Sequence, residues 1–220
     1  MKGPNVATPN PLAPPDRTRA SRRRFLQIAG VSGAAGSAML LAACGDDDEN
    51  AASTSTTKAT AMGGDIAILN YALTLEYLEA DFYDKVIAAD VLSGAELELA
   101  KQFGDTEAAH VETLKGTVEK LGGTPVKAPE TTFPLESRDA VLELAATVEN
   151  LGAAAYLGQA GAIQSDEVLA AALAIHSVEA RHAAALNRVL GMSATPDGAF
   201  AQPATEAEVL KAVKPFIVTS

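Results

Sequence analysis

Cysteine is almost missing from this chain: Cys44 is the only one in 220 residues. A single thiol permits no internal disulfide in any compartment, and it excludes a built-in cysteine-rich electron relay. Stability must therefore come from a packed core. Basic residues are scarce as well, and unevenly placed. Residues 1–44 hold six of the 17 lysines and arginines (Lys2, Arg17, Arg19, Arg22, Arg23, Arg24) but one of the 28 acids, Asp16. The rest carries 11 basic against 27 acidic residues, a net charge of −16. Such a surface disfavours nucleic acid and anionic lipid, and it draws cations. Long apolar runs are also lacking. The candidate from Ile28 to Ala43 has 16 residues and three glycines, whereas a membrane-spanning helix takes about 20.

That short run has informative flanks. It follows Ser21-Arg22-Arg23-Arg24-Phe25-Leu26 and ends in Leu41-Ala42-Ala43-Cys44. A basic segment, a short apolar stretch and small residues read as a signal peptide, the alternative being an uncleaved short anchor. The paired arginines before Phe-Leu resemble a twin-arginine export signal, and Leu-Ala-Ala-Cys resembles a lipobox. These resemblances imply an exported protein with lipid on Cys44, periplasmic or on the outer face of the cytoplasmic membrane. It would touch the membrane through that lipid only. Residues 45–64 hold four acids, Asp46 to Glu49, then mostly Ser, Thr and Ala. They offer almost nothing to bury and are expected to form a disordered tether.

From Asp65 onward, apolar residues recur at three- and four-residue intervals, which predicts helices. Their expected spans are about 65–90, 94–121, 137–162 and 165–191. Ser93-x-x-Glu96 reads as a capping box for the second, and Gly122-Gly123 ends it. Thr205-x-x-Glu208 caps a short fifth helix within a C-terminal extension, 192–220, and Pro215 closes it. A helix of 26 residues is about 39 Å long. Links of a few residues make helices one and two, and three and four, antiparallel hairpins. Gly122–Glu136 differs, because Pro125, Pro129 and Pro134 block helix there. Its 15 residues reach about 50 Å, enough to run the length of the bundle. The expected fold is all-α: a four-helix bundle over 65–191, with one long crossover between two hairpins.

Two of the three histidines occur in one motif, Glu107-x-x-His110 and Glu179-x-x-His182. Each is preceded by a glutamate seven residues before a tyrosine, Glu76 with Tyr83 and Glu149 with Tyr156. The copies are offset by 73 residues for the first element and 72 for the second, and both E-x-x-H copies extend to E-A-x-H-x-x-x-L. Residues i and i+3 share a helix face, so each Glu–His pair reaches one point. Four carboxylates on apolar stripes repel one another and cost several kcal/mol each if buried alone. Two divalent cations remove that penalty. Glu76, Glu107, His110, Glu149, Glu179 and His182 form the ligand set of a dinuclear iron or manganese carboxylate site. The bland alternative, solvated glutamates and incidental histidines, needs six coincidences. Glu79 is a rival to Glu76, but its twin position holds Gly152; a two-fold site selects Glu76 and leaves Glu79 outside it or exposed. His176 reads as incidental or bordering the site, and Asp105 and Glu143 as solvated.

Helix layout and ligand spacing together resemble the ferritin-like superfamily over about 65–190, including exported, desiccation-associated bacterial and plant ferritin-like proteins. The resemblance implies two iron ions, or manganese, and hydrogen bonds from the Tyr83 and Tyr156 hydroxyls to metal-bound carboxylates. It is specific for the site and not for the reaction. The leading expectation is oxidation of iron, or consumption of peroxide or oxygen, at the cell envelope. A non-enzymatic alternative is iron sequestration, or a desiccation- and stress-protective role. Expected partners are metal ions and oxygen or peroxide, with a homodimer as one option for assembly and no nucleic acid.

Overall fold

The computed structural model describes the backbone of residues 51–218 and the side chains of 62–218. The expected signal segment, with Cys44, lies outside the described residues. Four long helices follow one another: α1 (Ala51–Ala89), α2 (Gly94–Lys120), α3 (Arg138–Gln159, continued by a 3-10 turn to Ala162) and α4 (Asp166–Val189). A short α5 (Glu206–Val213) follows. No helix among the described residues is long and apolar enough to cross a membrane.

One expectation changes at the start. Helix α1 begins at Ala51, so 51–64 continue the helix where a disordered tether was expected. Four alanines and the absence of proline permit helix in this segment, although its four threonines, two serines and two glycines do not favour it. A second change concerns the caps. Ser93 makes no side-chain bond to its helix, and Glu96 instead accepts from the Arg138 Nε at 2.8 Å. Thr205 and Glu208 do form the expected reciprocal box. Glu96 has a cation from the other hairpin within reach, and the charged partner wins over the backbone amide.

α1 packs along α2 and α3 along α4, and the hairpins meet through α1 with α3 and α2 with α4. The crossover is held against α1. Asn70 accepts from the Val126 N–H at 2.9 Å and donates to the Thr124 carbonyl at 3.1 Å. Farther along, Lys85 donates to the Thr131 carbonyl at 2.7 Å, while Phe133 lies edge-on to Phe82 at 5.2 Å. The C-terminal extension crosses α3 so closely that a Cβ on Gly158 would meet the Ala204 carbonyl oxygen at 2.0 Å. Only glycine fits there. Val209 and Val213 of α5 are buried against the bundle.

The interior is apolar at both ends and polar in the middle. One cluster includes Phe82, Val86, Ala100, Phe103 and Val141; the other includes Leu69, Leu73, Leu114, Val118 and Ile175. Between them along α1 and α2 lie Glu76, Glu79, Glu107 and His110, all buried.

Candidate metal centre

Each helix brings its carboxylate inward at mid-length. Glu76, Glu107, Glu149 and Glu179 are all 0 % exposed, at the level of the best-packed leucines. Their charge has no route to water, so its neutralisation must be local.

The imidazoles supply part of it. His110 Nδ1 lies 2.8 Å from Glu107 Oε2, 3.1 Å from Glu179 Oε1 and 3.2 Å from Glu76 Oε2. His182 Nδ1 lies 2.8 Å from Glu107 Oε1 and 3.3 Å from Glu149 Oε2. Glu107 therefore spans both rings, one oxygen to each. Burial pushes its carboxyl up, but the two rings outweigh that and hold it down at about 2. Glu179 and Glu76 go the other way: burial, aided by neighbouring carboxylates, raises them to about 10 and about 7 against the pull of His110. Burial lowers His110 and His182, yet the carboxylates facing them prevail and raise the rings to about 12 and about 9.

Protons alone do not satisfy this arrangement. Glu107 Oε1, Glu149 Oε2, both Glu179 oxygens and His182 Nδ1 are buried with no hydrogen-bond partner, although Glu107 Oε1 and His182 Nδ1 are only 2.8 Å apart. Buried carboxylate oxygens left without a partner are costly, and a cation held among them removes that cost. Two overlapping sets of donors lie close together. Glu76, Glu107, His110 and Glu179 form one, and Glu107, Glu149, Glu179 and His182 the other, with the atoms of each set within 4.8 Å of one another. Each set has three carboxylates and one imidazole, and Glu107 and Glu179 belong to both. These residues could hold metal ions, with Glu107 and Glu179 offering donors to both sets.

The tyrosines reach across the bundle. Tyr83 of α1 donates to Glu149 Oε1 of α3 at 2.5 Å, and Tyr156 of α3 donates to Glu76 Oε1 of α1 at 2.5 Å. Each hydroxyl holds one oxygen of a carboxylate that belongs to a single set and leaves the other oxygen facing inward. Burial first, and then the carboxylate charge, raises both phenols, so they stay protonated donors. Phe103 stacks on His182 with centroids 3.8 Å apart and fixes the ring plane. Nothing in the sequence pairs Phe103 with His182, because a contact between two helices leaves no local signature.

The model thus brings together all six predicted ligands and both tyrosines. His176 is not among them; its Nδ1 lies 3.0 Å from the Ala153 carbonyl oxygen and ties α4 to α3. Asp105 and Glu143 are exposed. Glu79 belongs to neither donor set and is 3 % exposed; of the two expected places, outside the ligand set or exposed, it takes the first, because the glycine opposite leaves room for a carboxylate inside the bundle.

The sequence matches the ferritin-like domain family over residues 64–192, the stretch that forms the bundle. The chain belongs to the ferritin-like domain family. No curated protein sequence matches it.

Proposed function

We propose that this ferritin-like chain holds two iron or manganese ions and uses them to consume peroxide or oxygen, or to oxidise iron, at the cell envelope. The observation that carries the reading is the pair of donor sets sharing Glu107 and Glu179. Four carboxylates with two imidazoles make a hard, oxygen-rich field that suits iron and manganese in both the +2 and +3 states. Two such ions, when bound, would supply one electron each, the pair needed to take peroxide and two protons to two waters.

The protein's part is positional. Glu107 and Glu179 fix the spacing between the two ion positions, and His110 and His182 each serve one. Tyr83 and Tyr156 restrain the outer carboxylates by one oxygen each. The apolar clusters on either side keep bulk water from the charged layer, which strengthens every interaction within it. Envelope placement is supported by Arg22-Arg23 and Leu41-Ala42-Ala43-Cys44, residues that precede the bundle in sequence.

The test is metal content and turnover of protein purified from its native membrane. Two iron or manganese ions per chain, with peroxide loss that follows metal loading, are expected. Far more than two ions per chain indicates storage. Two ions with no turnover of peroxide, oxygen or ferrous iron indicates a structural or sequestering site.

A further inference from the structure

The internal repeat builds more than ligands. Two small cavities lie inside the bundle, one of about 20 Å³ and one of about 10 Å³. Their walls correspond. Leu69, Ala72 and Leu114 of the larger recur as Leu142, Ala145 and Leu186 of the smaller, at the offsets of 73 and 72 residues that relate the ligands. Each cavity is also walled by one of the two tyrosines, Tyr156 in the larger and Tyr83 in the smaller. The hydroxyls of those rings donate to Glu76 and Glu149, so each cavity meets the donor layer at a single ring. A chance fault in packing has no reason to recur at matching positions, where the copies have otherwise diverged: Gln159 stands against Val86, and Val168 against Glu96.

What such a space takes follows from its wall. Apart from Tyr156, Tyr71 and Gln159, the wall of the larger cavity is aliphatic. A water needs about 10–15 Å³ and two to four polar partners. The room is there, and the partners are not. The Tyr156 hydroxyl is taken by Glu76, which leaves the unpartnered Tyr71 hydroxyl and the Gln159 amide. Tyr71, Gln159 and Ile68 are the partly exposed residues of the wall, and the rest are buried, so these three mark the way in. Hydrogen peroxide carries more hydrogen-bonding groups than water and loses more on entering an aliphatic space. Dioxygen has none to lose. The smaller cavity, at about 10 Å³, is at the lower limit for any molecule of this size, and Glu96 makes its wall more polar.

We infer that the larger cavity is a dioxygen site, which holds one molecule of the gas against the Tyr156 ring beside the donor sets, and that the smaller, behind Tyr83, is its weaker twin. The inference rests on the dinuclear reading above and narrows it: the oxidant is dioxygen, not peroxide. With two ferrous ions bound, dioxygen would take one electron from each together with two protons, and leave as hydrogen peroxide.

The experiment uses xenon, an inert apolar probe of such spaces, on the metal-free full chain. Under xenon pressure the methyl NMR signals of Leu69 and Leu114 are expected to shift, and those of Leu142 and Leu186 to shift less. Ala72→Leu fills the larger cavity from α1 and Ala172→Leu fills it from α4, so one serves where the other fails to fold. Each should abolish the shift at Leu69 and Leu114, while Ala145→Leu, which fills the twin, should leave it. The second arm mixes the ferrous-loaded chain with dioxygen or, without air, with hydrogen peroxide. Ala72→Leu and Ala172→Leu should slow oxidation by dioxygen about fivefold or more, and leave oxidation by peroxide within about twofold. Unshifted methyls in the parent, no slowing with dioxygen, or equal slowing with both oxidants overturns the inference, while two bound ions per chain keep the dinuclear reading. A parent that binds fewer than two ions overturns both.

Discussion

The two hairpins present the same chemistry from unequal hands. α1 and α2 contribute Glu76, Tyr83, Glu107 and His110; α3 and α4 contribute Glu149, Tyr156, Glu179 and His182. The tyrosine–glutamate bonds cross between hairpins in both directions at the same length. Three features break the match. Glu79 faces Gly152, His110 meets three glutamates where His182 meets two, and Phe103 stacks on His182. A repeated sequence pattern therefore does not make two equal donor sets. Symmetry supplies the pair of sets, and departures from it let them differ.

The largest expected effect tests the shared donors. Glu107→Gln and Glu179→Gln each remove a ligand of both sets, so both ions should be lost. Glu76→Gln and Glu149→Gln touch one set each and should leave one ion bound. Metal analysis after dialysis reads the difference. A ligand at a thousand times its Kd stabilises the folded state by about 4 kcal/mol, so the shared-donor variants should also lose the rise in melting temperature on metal addition. Equal loss from all four variants would break the distinction between shared and outer carboxylates.

Next in size is the pH response of the metal-free protein. Glu76 and Glu179 are raised to about 7 and about 10 from 4.5. The folded chain thus binds more protons than the unfolded one, and stability should fall as pH climbs from about 4.5 through those values. His110 and His182, raised to about 12 and about 9 from 6.5, contribute stability that is full below 6.5 and lost as pH passes their folded values. Glu107, lowered from 4.5 to about 2, acts oppositely and only in acid. Urea unfolding of chelator-treated protein should give a higher midpoint at pH 5 than at pH 9, with unfolding free energies that differ on the order of several kcal/mol. Metal loading should flatten the dependence, since the ions replace the protons. A higher midpoint at pH 9 would show that these carboxylates are not buried together.

Tyr83→Phe and Tyr156→Phe come third. Each deletes one buried hydrogen bond to a carboxylate, about 1.5–3 kcal/mol, and the crossed geometry predicts similar losses of metal-loaded stability. A loss confined to one variant would add the tyrosines to the list of asymmetries. The smallest effect lies in the caps of the twin helices α2 and α4. Ser165 accepts from the Val168 N–H at 3.4 Å, while Ser93 bonds nothing in its helix. Ser165→Ala should cost roughly 0.5–1 kcal/mol and Ser93→Ala a few tenths or less, measured by thermal unfolding.

Much of this was legible before any coordinates. Helical spacing, short links and a proline-rich crossover define the bundle, because a 3.6-residue period and the reach of an extended chain are local properties. The six ligands were legible because E-x-x-H and its preceding glutamate repeat at one offset. The same rule of symmetry put Glu79 outside the ligand set, because its twin is a glycine; that it is buried rather than exposed was not legible. The room that glycine makes is a property of two helices in contact, not of either alone. Likewise Ser93-x-x-Glu96 has the letters of a capping box, and Arg138, 42 residues away in sequence, takes the glutamate.

Sequence by itself determined the fold class, the four-plus-two ligand set and the pairing of two E-x6-Y segments with two E-x-x-H segments, since each follows from residue type and spacing along one chain. Tertiary structure alone decided which carboxylates belong to both donor sets, that each tyrosine restrains the glutamate of the opposite hairpin, and that Glu79 lies inside. Those facts depend on distances between helices, where a notch one methyl group wide decides whether a carboxylate is buried beside the centre or held out in water.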